Sequence, residues 1–287
     1  MTTQLVYSTE FQKHNSIGHP ENAQRLTTMI EAVENASFYQ ELSLIKPVLL
    51  PENILTDVHS SDMIEFVRNL STTGGGWIDM DTYVSESDYT TARLAAGGLL
   101  QLCENIMQKK ADNGFALIRP PGHHATQSRS MGFCLFNNAA LAADYYAKKG
   151  KKILIVDHDV HHGNGTQDIF YHRDDVLYQS FHLHPHYPGT GDLNEIGLEK
   201  GKGFTVNAPL QHGHGNTAVS VVLNDIFLPI ARQFQPDLII ISAGFDSHHA
   251  DLLGGLRLTT GFFGEILSHY QKIQSKLVCT LEGGYNL

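Results

Sequence analysis

Ile153-Leu154-Ile155-Val156 runs straight into Asp157-His158-Asp159-Val160-His161-His162-Gly163-Asn164-Gly165. The first four residues are apolar without a break, as in a parallel strand covered on both faces. Residues 157–165 are then the loop at that strand's carboxyl end, the edge where open α/β sheets bind ligands. Two carboxylates and three imidazoles stand there within six residues. Asp159 and His161 are two apart, so on an extended backbone they point the same way, and Asp157 shares that face one step back. Zinc accepts imidazole nitrogen and carboxylate oxygen, and a catalytic site holds it with three protein ligands and one open position. Two ligands are visible in this loop, so the third comes from elsewhere. The plainer reading is a helix cap in a solvated loop, because Asn164, Gly165 and Thr166 resemble the entry to a helix through Gln167 and Phe170. A lone Asp-x-Asp would favour that reading; the imidazoles beside it favour the metal.

Outward from this stretch, apolar runs of strand length alternate with helical patterns. Leu5-Val6-Tyr7, Phe115-Ala116-Leu117-Ile118, Val176 to Ser180, a run ending at Val206, Leu238 to Ile241 and Leu277 to Leu281 read as strands. Gly18-His19-Pro20-Glu21 reads as a helix entry, with Arg25, Leu26, Met29, Ile30 and Val33 at helical spacing behind it. Ser60 or Ser61 caps a helix carrying Met63, Phe66, Val67 and Leu70, and Thr73 to Trp77 reads as a flexible loop. Helices are also expected from about Glu86 to Met107, from Asn138 to Lys149, from Thr217 to Phe234 with a kink at Pro229, and from Thr259. This alternation predicts βαβ units and a mostly parallel central sheet with helices on both faces, an α/β fold. No repeat, linker or break in composition divides the chain, so residues 1–287 are expected to form one domain.

Composition narrows the function. The formal charge is −10, which argues against direct nucleic-acid binding. No run approaches the ~18 apolar residues of a membrane helix, and Met1 to Tyr7 lacks the basic and apolar regions of a secretory signal. Cys103, Cys134 and Cys279 form neither a disulfide framework nor a Cys-x-x-Cys clip, so a reducing cytoplasm is the expected location. Seventeen histidines stand against twenty Lys plus Arg, many of them in Gly/Pro-rich loops, which points to metal or acid–base chemistry.

Five predicted strands end in unusual loops: His123-His124, Asp157 to Asn164, Ser180 to Tyr187, Asp246, and Glu282 to Tyr285. A parallel sheet opens all five on one edge. Asp246 is the natural third ligand, and the Asp159-His161-Asp246 set suits zinc and iron(II) equally on these grounds. Taken alone, Asp246 reads as a turn or cap residue. Adjacent histidines on an extended backbone point to opposite sides, so His123 and His124 suit acid–base work better than joint ligation. Asp157 and Asn164 are left to fix their tautomers. A charged partner raises an imidazole pKa more than a neutral one does, so whichever histidine faces Asp157 is the cationic one, and both pairings are open. Tyr285 comes after two glycines and either donates to a developing oxyanion or packs at the strand end.

His19-Pro20-Glu21 with Arg25, Arg119-Pro120-Pro121-Gly122-His123-His124, Gly132-Phe133-Cys134, Asp157 to Gln167, Tyr187-Pro188-Gly189-Thr190-Gly191, Gly244-Phe245-Asp246 and Glu282-Gly283-Gly284-Tyr285 occur in this order. Together they resemble the zinc-dependent histone deacetylases of the arginase–deacetylase fold, nearest the class II enzymes and their bacterial relatives, including acetylpolyamine amidohydrolases. The resemblance implies one Zn2+ on Asp159, His161 and Asp246. It implies His124 as general base and then acid, and His123, paired with Asp157, as an electrostatic element. Tyr285 would hydrogen-bond the substrate carbonyl. Phe133, Tyr187 and Leu253 would line a narrow tunnel, Gly132 would accept from the amide N–H, and Arg25 would lie in an internal acetate channel. It further implies structural K+ or Na+ at Asp157, Asp159, His161, Ser180 and Phe181, and at Phe170, Arg173, Val176 and Phe204.

Some positions depart from the pattern. Tyr187 stands where many relatives have Phe. Leu253 stands where polyamine-specific members carry a nearby Glu. Asp251-Leu252 replaces a common Asp-Pro. The chain also stops two residues after Tyr285, where relatives continue with more helix, so either the sequence is truncated or the domain ends early. The expected substrates are acetylated lysine in peptides or proteins, or acetylated small amines. A catalytically silent acyl-lysine-binding module is the reading from another class, and a two-metal arginase-like hydrolase fits less well. With no long insertion between Arg119 and Asn138, a monomer is expected.

Overall fold

The computed structural model describes residues 2–287. The strands are β1 (Thr3–Val6), β2 (Leu42–Ile45), β3 (Gly76–Trp77), β4 (Tyr83–Val84), β5 (Asn113–Ala116), β6 (Ile153–Asp157), β7 (Val176–Leu183), β8 (Thr205–Leu210), β9 (Leu238–Ala243) and β10 (Leu277–Leu281). Eight of them form one sheet in the order β2-β1-β5-β10-β9-β6-β7-β8, and every pairing in it is parallel. The helices are α1 (Gln24–Glu34), α2 (Glu52–Leu55), α3 (Ser61–Thr72), α4 (Asp88–Met107), α5 (Asn138–Ala147), α6 (Asn164–Phe170), α7 (Asn216–Val222), α8 (Leu228–Phe234) and α9 (Thr260–Gln271).

The two-residue period of the strands divides the core. Ile153, Ile155, Tyr178, Ile240 and Val278 pack on one face with residues of α1, α3, α4 and α5. Leu154, Val156, Leu177, Ile239 and Ile241 pack on the other with residues of α7, α8 and α9. Both faces are covered, which is why the central strands are apolar without alternation. The single-domain α/β architecture read from the alternation is the one observed.

Several boundaries differ from the sequence reading, each for a local reason. Helix α1 starts at Gln24 rather than near Pro20. Glu21 is drawn inward to Arg25 and Arg119, and Asn22 Oδ1 accepts from Gln24 N instead. The predicted loop at Thr73 to Trp77 contains β3, paired antiparallel with β4. Strand β5 begins earlier than Phe115 because Asn113 and Gly114 pair with both β1 and β10. Strands β7 and β8 extend past Ser180 and Val206 as far as Leu183 and Leu210. Edge strand β2 has no apolar run to announce it. The predicted Thr217–Phe234 helix is interrupted by a π-turn at Leu223–Phe227, just before Pro229, whose missing N–H breaks the i→i−4 ladder.

Candidate active site

Strands β5, β10, β9, β6 and β7 are consecutive neighbours, so the five unusual loops emerge side by side at one edge. Asp157 closes β6 opposite Ser180 of β7 and Ser242 of β9. Its Oδ1 accepts from Asp159 N at 3.1 Å. Its Oδ2 lies 3.0 Å from His123 Nδ1 and accepts from the Tyr178 hydroxyl at 3.1 Å. Helix α6 begins at Asn164, whose Oδ1 is 2.7 Å from His124 Nδ1. The pairing left open by the residues alone is thus His123 with Asp157 and His124 with Asn164.

Burial and the surrounding charges separate the two imidazoles. Burial opposes protonation of His123, but the carboxylates of Asp159 and Asp157 outweigh it and hold the imidazole up at about 10. His124 is pushed well below the ordinary histidine value, by burial first and then by the neighbouring charges of His123 and His161. The first imidazole is therefore drawn toward its cation and the second toward its neutral form.

Asp159, His161 and Asp246 bring ligand atoms within 4.8 Å of one another. Asp159 Oδ1 accepts from His161 N at 2.9 Å and lies 3.0 Å from His161 Nδ1. Asp159 Oδ2 accepts from Gly283 N at 2.8 Å. Asp246 Oδ1 accepts from Val160 N at 2.8 Å, while Oδ2 is buried without a hydrogen bond, 3.3 Å from His161 Nδ1. Burial, then the Asp159 carboxylate, lifts Asp246 to about 7. An orphaned buried carboxylate oxygen facing a second carboxylate and an imidazole is a donor set that fits a divalent cation. Gly283 leaves room for it: a Cβ there would stand 2.0 Å from Asp246 Oδ2 and 2.6 Å from Asp159 Oδ2.

Above this set lies a cavity of about 210 Å³ lined by His124, Gly132, Phe133, Tyr187, Leu253 and Tyr285. His161, Asp81 and His186 complete its wall. Gly132 adopts φ +56°, and a Cβ on it would meet His124 Cδ2 at 2.5 Å, so only glycine lets this wall approach the imidazole. Tyr187 packs edge-on to His124 at 5.1 Å, and Phe133 edge-on to Tyr285 at 5.8 Å.

Arg25 stands behind the cavity rather than in its lining. It donates to Gly284 O, Glu282 O and Glu21, and its guanidinium lies 4.9 Å from the Tyr285 ring centroid. Ser180 and Phe181 adjoin Asp157 on β7. Phe170, Arg173, Val176 and Phe204 gather between the end of α6 and the β7–β8 pair, where Phe170 O accepts from Arg173 N and Phe204 O from Tyr178 N.

Other residues of the site have tasks that the sequence reading does not assign. Glu282 Oε2 accepts from Gly122 N at 2.7 Å and His123 N at 3.1 Å, which fixes the histidine pair to β10. A carboxylate directly after an apolar strand is its only signal. His186 stacks on His161 at 5.0 Å, and no sequence spacing marks it.

The histone deacetylase domain family matches residues 19–287. The chain belongs to the histone deacetylase family. It is 39% identical to a probable deacetylase of Archaeoglobus fulgidus over 100% of this chain and 82% of that one. It is 38% identical to a probable deacetylase of Methanothermobacter thermautotrophicus over 98% and 85%. Histone deacetylase 15 of Arabidopsis thaliana is 41% identical over 94% of this chain and 50% of its own length. The crystal structure of an HDA15 HD domain superposes with a TM-score of 0.97 at 38% identity, covering 100% of this chain and 84% of that one. Membership makes the chain a deacetylase, a hydrolase, in a family that is generally metal-dependent.

Proposed function

We propose that this histone deacetylase family member is a zinc-dependent amidohydrolase that removes acetyl, or another short acyl group, from the ε-amine of lysine in peptides or proteins. The observation that carries the reading is a neutral imidazole, His124, on the wall of a narrow cavity whose wall also holds His161 of the Asp159–His161–Asp246 set. Zinc held by those three residues would supply Lewis-acid polarisation of the acyl carbonyl and lower the pKa of a water.

The protein groups divide the remaining work. Asn164 engages His124 Nδ1, which leaves Nε2 to take the proton of the attacking water and deliver it to the leaving amine. His123 keeps its proton against Asp157 and contributes fixed positive charge. The Tyr285 phenol donates to the oxygen on which charge develops. Phe133, Tyr187 and Leu253 enclose the methylene chain, and the Gly132 carbonyl accepts from the amide N–H. Arg25 serves the acetate side. K+ or Na+ would occupy the Asp157–Phe181 and Phe170–Phe204 positions. The protein is proposed to act as a cytoplasmic monomer, without direct nucleic-acid or membrane contact. No helix among the described residues is long and apolar enough to cross a membrane.

Acetylated small amines are the second reading, favoured by Asp81, a carboxylate in the cavity wall that suits a distal ammonium. A panel of acyl lengths on lysine peptides and on N-acetylputrescine, with and without chelator, tests both. The expected result is chelator-sensitive turnover of acyl-lysine peptides. Much higher kcat/KM on N-acetylputrescine would overturn the lysine reading, and no turnover of any substrate at full zinc occupancy would overturn the enzyme.

A further inference from the structure

We infer that Asp251 is a positioning residue that aims the Tyr285 phenol by holding the peptide plane before it. The inference rests on the proposed role of Tyr285. The Gly284–Tyr285 peptide group is gripped from both ends by opposite charges. Arg25 Nε donates to its carbonyl, Gly284 O, at 2.7 Å. Asp251 Oδ2 accepts from its amide, Tyr285 N, at 2.6 Å. The same oxygen accepts from Asn286 N at 3.1 Å, and Asn286 Nδ2 returns a bond to Ala250 O at 2.7 Å. A cation on the carbonyl and an anion on the amide fix the rotation of that plane, and with it the direction in which the Tyr285 side chain leaves the backbone.

The other carboxylate oxygen has a separate task. Asp251 Oδ1 accepts from Leu253 N at 2.9 Å, shaping the turn that presents Leu253 to the cavity. One side chain thus ties the loop after β9, which carries Asp246 and Leu253, to the loop after β10, which carries Tyr285. The tie matters because Gly283 and Gly284 precede the tyrosine, and Gly284 sits at φ +115°. A glycine pair is free to turn, so the segment depends on outside partners for its geometry. A charge-assisted bond to a backbone amide is about twice as strong as a neutral one, and Asp251 supplies two to this segment. Asp251 is itself neither one of the residues lining the cavity nor one of the three clustered ligand residues; it touches the lining only at the backbone of Tyr285 and Leu253, and acts through them.

The test is a mutant cycle on an acetyl-lysine peptide, read as kcat, KM and zinc content of the zinc-loaded full chain. Asp251→Ala is expected to lower kcat about 10- to 100-fold, with KM changed less than about threefold and zinc content unchanged. Asp251→Asn keeps the volume and one acceptor oxygen but removes the charge and turns its NH2 toward at least one N–H donor, so it should lower kcat in the same direction by less than alanine does; it also serves if the alanine variant folds poorly. The decisive arm is Asp251→Ala in the Tyr285→Phe background. There the further loss should shrink below about threefold, because a residue acting through the phenol has nothing left to aim. Single-turnover assays with enzyme in excess keep that background measurable. A loss of about tenfold or more in both backgrounds, or zinc loss on Asp251 substitution, would overturn the inference. Wild-type enzyme inactive at full zinc occupancy would instead sink the deacylase reading.

Discussion

His124 Nδ1 sits 2.7 Å from Asn164 Oδ1, a neutral partner for a buried imidazole. Its sequence neighbour His123 has a carboxylate instead, 3.0 Å away on Asp157. Two adjacent residues of one type thus differ in charge, because burial and the neighbouring imidazoles disfavour a proton on His124 while the carboxylates of Asp159 and Asp157 favour one on His123. In the proposed mechanism this difference makes His124 the proton acceptor. His124→Ala should lower kcat about 10²- to 10⁴-fold with zinc content unchanged. Turnover and metal analysis on the same preparation check this, and a variant with near wild-type kcat would move the base elsewhere.

Asp157 and Asp159 lie two residues apart on one face, yet they meet different partners. Asp157 is engaged by His123, Tyr178 and the Asp159 amide, whereas Asp159 joins His161 and Asp246. Asp159→Ala should therefore lose zinc. Asp157→Asn should keep zinc and lose about tenfold or more in rate, because His123 loses its ionic partner. Zinc-to-protein ratios after dialysis separate the two, and equal metal loss in both would break the assignment of roles.

Much of this arrangement is legible from residues 153–165 alone. An apolar run names the strand, and parallel topology places its loop beside the loops of β5, β9 and β10. Asp246 is recognisable from that convergence. The histidine pairing is not, because which imidazole meets Asp157 depends on how the chain turns after Arg119, and no spacing encodes it. The tasks of Glu282 and Asp251 are hidden for the same reason: their partners are backbone amides of distant loops, which carry no residue-type signal. The start of α1 lies later than its pattern suggests because Glu21 leaves the helical path for the buried guanidinium of Arg119.

His59 offers a pH test outside the site. It is 2% exposed, with Nδ1 2.9 Å from Thr126 O and Nε2 accepting from Asn137 N at 2.9 Å. Burial pulls its pKa down to about 4, against the smaller opposing effect of the Thr126 carbonyl. Protonation would also turn the Nε2 acceptor into a donor facing Asn137 N–H. Between about pH 4 and the unfolded value of about 6.5 the unfolded chain binds more protons, so stability rises with pH through that window. The contribution is complete above about 6.5 and is lost as pH falls toward about 4. At about 1.4 kcal/mol per unit it amounts to about 3 kcal/mol. Urea melts from pH 4.5 to 7.5 should show a shallower pH dependence for His59→Gln than for wild type. Identical slopes would mean that His59 does not stay neutral.

Gly283 tests the cation site through its backbone. Its N–H donates to Asp159 Oδ2, and the space where a side chain would begin is occupied by carboxylate oxygens of Asp246 and Asp159. A methyl group there must displace both, since backbone on a strand end between packed neighbours yields less than a carboxylate does. Gly283→Ala is expected to weaken zinc binding about 10- to 100-fold and to lower kcat/KM at limiting zinc by a similar factor. Gly264 on α9 is the control, because a Cβ there meets nothing within 4 Å. Gly264→Ala should leave zinc affinity unchanged and add up to about 1 kcal/mol of helix stability. Competition titration with a chromophoric chelator reads the metal affinity, and thermal melts of the zinc-free proteins separate local displacement from unfolding. If Gly283→Ala binds zinc as tightly as wild type, Asp159 and Asp246 do not hold the metal in this arrangement.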